Sequence, residues 1–389
     1  MSKSTDDHAK PRVLRPPASL GVIGGGQLGR MFVQAAQRMG YRAGVLSATV
    51  DGPAAQVAEW SVIAPPDNLA GLREFSSRAE AITVEFENVS APALRWLART
   101  RVVRPGWKTV RVSQNRLREK SFLARHAIPI APWHPVRTEA DLASADAHLG
   151  RPLILKTAAS GYDGKGQVRV ELGDDLPSAW ASLGRVECVA EGLVNFEAEI
   201  SVIVARGADG KSVAYPPALN RHARHILDST LMPAPVGPIV TQQARDLALA
   251  AAQALGTVGV LTVEFFLAAD GSLLVNELAP RPHNSGHLTI EASGGSQFEQ
   301  QVRALCGLPL ACTDMARPAA MVNLLGDLWS DGEPRWEAAL AADPGVKLHL
   351  YGKRTAAPGR KMGHITVIDP DADDALRRAL AARRAVTVR

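Results

Sequence analysis

Apolar and polar positions along the chain fall into runs of two periods, and the runs alternate. Residues 20–23 are a short apolar strand signal, residues 30–39 place apolar side chains at helical spacing, and residues 41–46 return to a strand. Between the first two lies Gly24-Gly25-Gly26-Gln27-Leu28-Gly29, so the chain opens on a strand–helix–strand unit with glycines at its turn. The alternation continues through residues 50–112, where a strand over 81–89 runs into Glu85 and Glu87, and Arg104-Pro105-Gly106 punctuates it. A helix is expected over 113–126. Strands over 152–156 and 167–170 flank a glycine-rich loop, and further strands are expected over 186–194, 199–205 and 212–215. An alanine-rich amphipathic helix over 242–255 leads into strands 261–267 and 272–277, which enclose Asp270-Gly271. A helix ending at Leu305, a strand over 320–325 and two strands over 346–354 and 358–367 complete an α/β pattern of mixed α+β type.

Asp-Gly is the residue pair of a two-residue type I′ hairpin. With the turn there, Ala269 faces Ser272 and, five steps out, Glu264 faces Glu277. Opposed side chains on one sheet face sit roughly 5 Å apart at Cβ. Two carboxylates that close call for a cation between them, and a hard ion such as Mg²⁺ carrying phosphates suits the position.

At 389 residues the chain can build two or three domains with real cores. Charged residues are 21% and apolar residues 46%, an ordinary soluble composition. The formal charge of +5 owes much to Arg377, Arg378, Arg383, Arg384 and Arg389. No aromatic residue is interleaved with them, so they read as a solvated helix face or tail and not as a nucleic-acid surface. Three cysteines, Cys188, Cys306 and Cys312, show no CxxC spacing and argue against a disulfide framework or a zinc site. Residues 1–17 lack the apolar core of a signal peptide, and no run is long and apolar enough to span a bilayer. These features predict a cytoplasmic protein with a short disordered N-terminal extension over 1–17.

Several residues carry chemistry. Gly24, Gly26 and Gly29 satisfy G-x-G-x-x-G, but Ser47 stands where a ribose-binding acid would end the second strand, and Asp51 lies beyond it. The loop therefore reads as a helix N-terminus offering N–H groups to a phosphate, or as a tight turn that needs glycine for packing. Glu85 lies at the carboxyl end of a strand, where open parallel sheets collect ligands, or caps the next segment. Arg116 and Lys120 share a helix face, which in isolation reads as solvated. Lys156 ends an apolar strand, where an unpaired ammonium is costly and a phosphate partner would explain it. The following loop lacks the Gly-Lys-Ser/Thr order of a Walker A motif and reads as a flap of backbone donors over phosphates. Lys353, Arg360 and Lys361 gather at one end of two strands, either around an anionic group or as a charged sheet edge.

Three motifs together resemble one family: Gly24-Gly25-Gly26-Gln27-Leu28-Gly29-Arg30-Met31, the flap Gly161-Tyr162-Asp163-Gly164-Lys165-Gly166-Gln167, and Asn276-Glu277-Leu278-Ala279-Pro280-Arg281-Pro282-His283-Asn284-Ser285-Gly286-His287. The family is that of the N5-carboxyaminoimidazole ribonucleotide synthases, ATP-grasp enzymes of purine synthesis, and the likeness runs from about residue 20 to about 367. It implies an N-terminal Rossmann-like domain over 18–112, a two-lobed ATP-grasp domain over 113–312 and a small β-rich C-terminal domain over 313–389. It implies a reaction of ATP, bicarbonate and 5-aminoimidazole ribonucleotide through carboxyphosphate, with Mg²⁺ (Mn²⁺ as the alternative), in a homodimer that binds neither nucleic acid nor membrane.

Carried over residue by residue, Arg116 and Lys156 would contact ATP phosphates beneath Gly161, Gly164, Lys165, Gly166 and Gln167. Glu191 with Gly192, Leu193 and Val194 would meet the adenine, Glu199 the ribose, and His222 and Asn276 the nucleotide site. Glu264 and Glu277 would hold the metal. Tyr162, Asp163, Arg281 and His283 would act on bicarbonate and the amine, with Glu85, Asn284 and Ser285 beside them. Lys353, Arg360 and Lys361 would hold the ribonucleotide phosphate, helped by Gly26, Gln27 and Leu28. Many ATP-grasp enzymes place an Asn two residues after the second glutamate; here Ala279 stands there, which leaves the number of ions open. The amine proton would go to His283 or Asp163, between which the sequence does not choose. Two other readings stand beside this one: an ATP-grasp ligase with another acyl donor, such as a formate-using transformylase or a biotin-type carboxylase, and a nicotinamide-dependent oxidoreductase built on the first glycine loop.

Overall fold

The structure, a computed structural model, describes residues 13–159, 161 and 164–387. Strands β1 (Ser19–Ile23), β2 (Arg42–Ser47), β3 (Trp60–Ile63), β4 (Ala81–Val84) and β5 (Val102–Val103) form a parallel sheet in the order β3-β2-β1-β4-β5. Their near-continuous apolar runs suit a sheet covered on both faces. Helix Gln27–Arg38 turns Met31, Phe32, Val33 and Ala36 inward. On the same side, helix Gln297–Cys306 adds Val302, Leu305 and Cys306 to the core, and its Gln301 Nε2 donates to Thr83 Oγ1 at 3.0 Å. That contact locks the N-terminal domain to the rest.

Val13 to Pro17 depart from the expected disordered extension, whose first residues 1–12 lie outside the described ones. Leu14 is buried in the N-terminal core, and its N–H donates to the Cys306 carbonyl at 2.9 Å. An apolar side chain and a paired backbone group outweigh the polar composition around them.

The small lobe of the middle domain is an antiparallel sheet of β6 (Trp133–Val136), β7 (Leu153–Thr157), β8 (Gln167–Val170) and β9 (Cys188–Gly192), ordered β6-β9-β7-β8. Its core is Val136, Leu142, Leu153, Leu155 and Trp180.

The third sheet contains β10 (Phe196–Arg206), β11 (Ser212–Ala214), β12 (Ala218–Ala223), β13 (Ile226–Met232), β14 (Gly259–Ala268), β15 (Leu273–Ala279), β16 (Ala319–Leu325), β17 (Lys347–Leu350) and β18 (Lys361–Ile368). Its order is β15-β14-β10-β12-β13-β16-β18-β17, with β11 beside β10. Antiparallel pairing of β13 with β16 carries one sheet across the expected boundary at 312, so the large lobe and the C-terminal unit share a hydrogen-bonded surface. Helix Pro238–Leu255 buries Ala244, Ala248, Ala251 and Ala252 against Ile200, Val202, Leu261 and Val263, small side chains that let helix and sheet approach closely.

The C-terminal helix Ala372–Ala385 departs from a purely solvated face. Arg383 pairs with Asp228 of β13 at 2.6 Å, and Arg378 with Asp343 at 2.5 Å and with Asp369. Aspartates distant in sequence, invisible to periodicity, turned part of the arginine run into ties; Arg389 lies outside the described residues. Among the described residues no helix is long and apolar enough to cross a membrane.

Candidate active site

The hairpin of β14 and β15 positions the central carboxylates, and it does so by two compensating irregularities. The turn is not the expected two-residue one. Ala268 N–H donates to the Ser272 carbonyl at 3.0 Å, which leaves a three-residue loop, and Gly271 takes φ +82°, the left-handed conformation that a glycine adopts without strain. Strand pairing runs one step out of the expected register from Leu267↔Leu273 to Phe265↔Val275. A bulge at Asn276 then restores it, so Glu264 does face Glu277. The bulge also breaks alternation, and Asn276 and Glu277 both line the cleft although they are neighbours.

That cleft, of about 780 Å³, lies where the three units meet. Its floor is the face of the large sheet bearing Glu199, His222, Glu264 and Glu277; Lys156, Gly161, Gly164 and Gln167 enter from the small lobe, Gln27, Leu28 and Glu85 from the N-terminal domain, and Lys361 from β18. The flap rests on the β12–β13 connection: a Cβ at Gly164, whose φ is +77°, would lie 2.5 Å from the Cβ of His225. Tyr162 and Asp163 lie outside the described residues.

Cations and anions alternate across the cleft. Helix Arg116–Arg125 is capped by Asn115, whose Oδ1 accepts from Arg118 N–H at 3.0 Å. Its cationic face, which reads as solvated in isolation, points inward: Lys120 is only 1% exposed. Lys120 and Lys156 flank the buried Glu191 carboxylate at 3.3 and 3.0 Å. Burial works to raise Glu191, but the two ammonium charges hold it down to about 2. Burial, with the like charges of Arg116 and Lys120, lowers Lys156 despite Glu191. The Glu191 side chain, expected to meet the adenine, is therefore turned to the two ammonium groups and, unlike Lys156, does not line the cleft. Gly192 N–H and Leu193 N–H also donate to the Pro132 and Pro152 carbonyls, at 2.9 and 3.4 Å, so this strap offers fewer backbone donors than the motif suggests.

Arg116 Nη1 stands 3.5 Å from Glu277 Oε2, and His283 Nε2 stands 3.0 Å from Glu264 Oε1. Burial and the Glu264 charge raise Glu277; for Glu264 the opposing burial is outweighed by the His283 and His222 rings beside it. Among the described residues no cluster of three His, Cys, Asp or Glu side chains could hold a metal ion. The opposed pair could hold a hard divalent cation only with further oxygens, such as those of a phosphate. The repulsion at Glu277, which Arg116 offsets only in part, is what such a cation would remove.

Arg281 forms an ion pair with Glu87, whose carboxyl, raised by burial, is brought below its ordinary value by the Arg281 charge. Glu85 receives Gly26 N–H at 2.5 Å and Gly29 N–H at 2.7 Å, so two donors expected to meet a substrate phosphate are occupied by the protein's own carboxylate. Gln27 and Leu28, between them, line the cleft. Lys353 Nζ donates to the Lys361 carbonyl at 2.5 Å, and burial with the Arg360 and Lys361 charges lowers it to about 8. Arg360 is exposed and donates to the Thr355 carbonyl at 2.6 Å, outside the cleft lining. Asn284 lines the cleft in a reciprocal amide pair with Asn323 at 2.7 and 3.1 Å. Ser285, expected beside the substrate, is fully buried behind His283 and does not line the cleft.

Glu87, Lys120, Glu119, Phe196 and Phe266 were missed as site residues. Leu123 shares the helix face of Arg116, Glu119 and Lys120, which marks that face as inward. Phe266 lies two residues from Glu264 and so on the same sheet face; it stacks on Phe196 with ring centroids 4.6 Å apart, an apolar wall suited to a flat base. Glu199 Oε2 meets His222 Nδ1 at 2.6 Å, and this partner raises His222 against the effect of burial.

Glu119 is raised from 4.5 to about 8 by burial and by Glu277. A raised folded-state value means that stability is full below 4.5 and is lost as pH climbs through about 8. Glu119→Gln should remove that loss: its melting temperature relative to wild type should rise between pH 5 and pH 8.5 in the ligand-free protein. A difference that stays flat would contradict the assignment.

Residues 121–298 match the ATP-grasp domain model, which with the paired glutamates and the flap defines an ATP-grasp enzyme. Residues 18–114 match the ribonucleotide synthetase preATP-grasp domain and residues 319–378 the phosphoribosylaminoimidazole carboxylase C-terminal domain. The chain is 42% identical over 363 residues to N5-carboxyaminoimidazole ribonucleotide synthase of Bacillus subtilis, covering 93% of this chain and 94% of that one. The Staphylococcus aureus N5-carboxyaminoimidazole synthetase complexed with ADP superposes with a TM-score of 0.89 at 37% identity, over 96% and 98% of the two chains. The Aspergillus clavatus enzyme in complex with ADP and 5-aminoimidazole ribonucleotide superposes with a TM-score of 0.87 at 33% identity, over 95% and 98%. The chain belongs to the N5-carboxyaminoimidazole ribonucleotide synthase family.

Proposed function

We propose that this chain carries out ATP-dependent carboxylation of 5-aminoimidazole ribonucleotide, with bicarbonate as the carbon source and carboxyphosphate as the intermediate. The observation that carries this reading is one cleft with two kinds of site. A phosphate-facing half holds Lys156, Arg116, Glu264 and Glu277, and an acceptor half holds Arg281, Glu85 and Lys361.

Phe196 and Phe266 take the adenine, and Glu199 with His222 lies where a ribose would follow. Lys156 and Arg116 meet the phosphates, where positioning and charge neutralisation are most of phosphoryl-transfer catalysis. A Mg²⁺ ion held between Glu264 and Glu277 would supply charge neutralisation at the transferring phosphoryl group. Arg281, steadied by Glu87, orients a bicarbonate oxygen for attack on the γ-phosphorus, giving ADP and carboxyphosphate. The exocyclic amine then attacks the carboxyl carbon, inorganic phosphate leaves, and one amine proton passes to a base. Carboxyphosphate is short-lived in water, which accounts for a flap seated on His225. Lys353 and Lys361, with the N–H groups of Gln27 and Leu28, suit the ribonucleotide phosphate. The family resemblance also supports a cytoplasmic homodimer; a monomer mass by light scattering would remove that part.

Phosphate release from ATP and bicarbonate should depend on 5-aminoimidazole ribonucleotide. Release supported equally by formate would favour a transformylase instead.

A further inference from the structure

Behind His283 runs a chain of buried hydrogen bonds that the reaction above does not use. Thr230 Oγ1 donates to Asn220 Oδ1 at 3.1 Å, and Asn220 Nδ2 donates to Ser201 Oγ at 2.9 Å. Ser201 Oγ lies 2.8 Å from Ser285 Oγ, which lies 2.9 Å from His283 Nδ1. Thr230, Asn220, Ser201 and Ser285 are each at most 4% exposed. An amide NH₂ can only donate. Ser201 Oγ therefore accepts from Asn220; among the described residues Ser285 Oγ is the partner left for its own hydrogen, which in turn leaves the Ser285 hydroxyl hydrogen for His283 Nδ1.

Two contacts outside the chain agree with that direction. Ser285 N–H also points at His283 Nδ1, at 3.4 Å, which requires an acceptor there. The Glu264 carboxylate, 3.0 Å from Nε2, can only accept and so requires a hydrogen on Nε2. Turning the Asn220 amide over would set the chain against both contacts.

We propose that Asn220, Ser201 and Ser285 are positioning residues that hold His283 in the Nε2–H tautomer. His283 then serves the cleft as a fixed hydrogen-bond donor that orients the Glu264 carboxylate. Its Nδ1 faces the buried serines and its Nε2 is already protonated, so the amine proton goes to another group. The partner of a ligating side chain commonly sets its orientation in this way. The role in turnover rests on the carboxylase reading; the tautomer does not.

The test is the ring-nitrogen spectrum of the full chain labelled with nitrogen-15 histidine, without substrates, with the His283 signals identified by their loss in His283→Gln. Wild type should show an unprotonated Nδ1 and a protonated Nε2. In Asn220→Asp the carboxylate can only accept, the chain reverses, and the Nδ1 signal should move to the protonated range. Asn220→Ala, which frees both hydroxyls, should move it part of the way. A protonated Nδ1 in wild type, or one unmoved in the folded variants, would overturn the proposal. In ribonucleotide-dependent phosphate release, Asn220→Asp should lower kcat about tenfold with KM for ATP unchanged, the usual scale for an outer-shell partner. An unchanged kcat beside a shifted spectrum would remove the catalytic role and leave the tautomer.

Discussion

Glu277→Gln should lower kcat about a thousandfold at saturating Mg²⁺, equivalent to several kcal/mol of lost charge stabilisation. The amide keeps the shape of the side chain but not the charge that, with Glu264, would hold the ion. Stability should move the other way. Glu277 is raised by burial and by the Glu264 carboxylate opposite it, so the ligand-free wild type carries a repulsion that the neutral side chain removes. Arg116 loses a partner at 3.5 Å but keeps the Glu191 charge near it. The expected result is a folded protein with a melting temperature no lower than wild type and almost no turnover. Wild-type rates would contradict the metal assignment, and a large fall in melting temperature would contradict the account of the pair.

Lys156→Met should damage both properties at once. Lys156 is one of two ammonium groups flanking a carboxylate that is 3% exposed, and removing one partner of a buried pair typically costs about 3–5 kcal/mol. Lys120 remains at 3.3 Å, so the loss should fall toward the lower end of that range. Turnover should fall further than stability explains, because the same ammonium faces the nucleotide phosphates, and KM for ATP should rise. Glu191→Gln separates the two effects: it leaves Lys156 in place, so it should lower the melting temperature while raising KM for ATP less than Lys156→Met does.

Much of the site was legible because it is built from contiguous motifs. The run from Asn276 to His283 puts most of its polar residues into one cleft, which Gly161 and Gly164 of the flap line together with Lys156. The opposition of Glu264 and Glu277 also followed from a hairpin register, but for an incomplete reason. A longer turn shifted the strands by one step and a bulge shifted them back, and neither has a signature beyond Gly271 and Asn276. Residues that meet across the fold could not be read. Glu87 is recruited by Arg281, Glu85 by two glycine N–H groups, and Arg383 by Asp228, and each pairing is set by packing between distant elements. Ser285 lies in the right motif, yet its hydroxyl faces inward, because strand and turn geometry decide which side of a run reaches solvent.

The most direct measurement follows a labelled atom. With oxygen-18 bicarbonate, ATP and 5-aminoimidazole ribonucleotide, each inorganic phosphate released should carry one oxygen from bicarbonate, because attack on the γ-phosphorus leaves that oxygen on phosphorus when the carboxyl group moves to the amine. Phosphate carrying no bicarbonate oxygen would contradict the claim that this cleft joins ATP to bicarbonate.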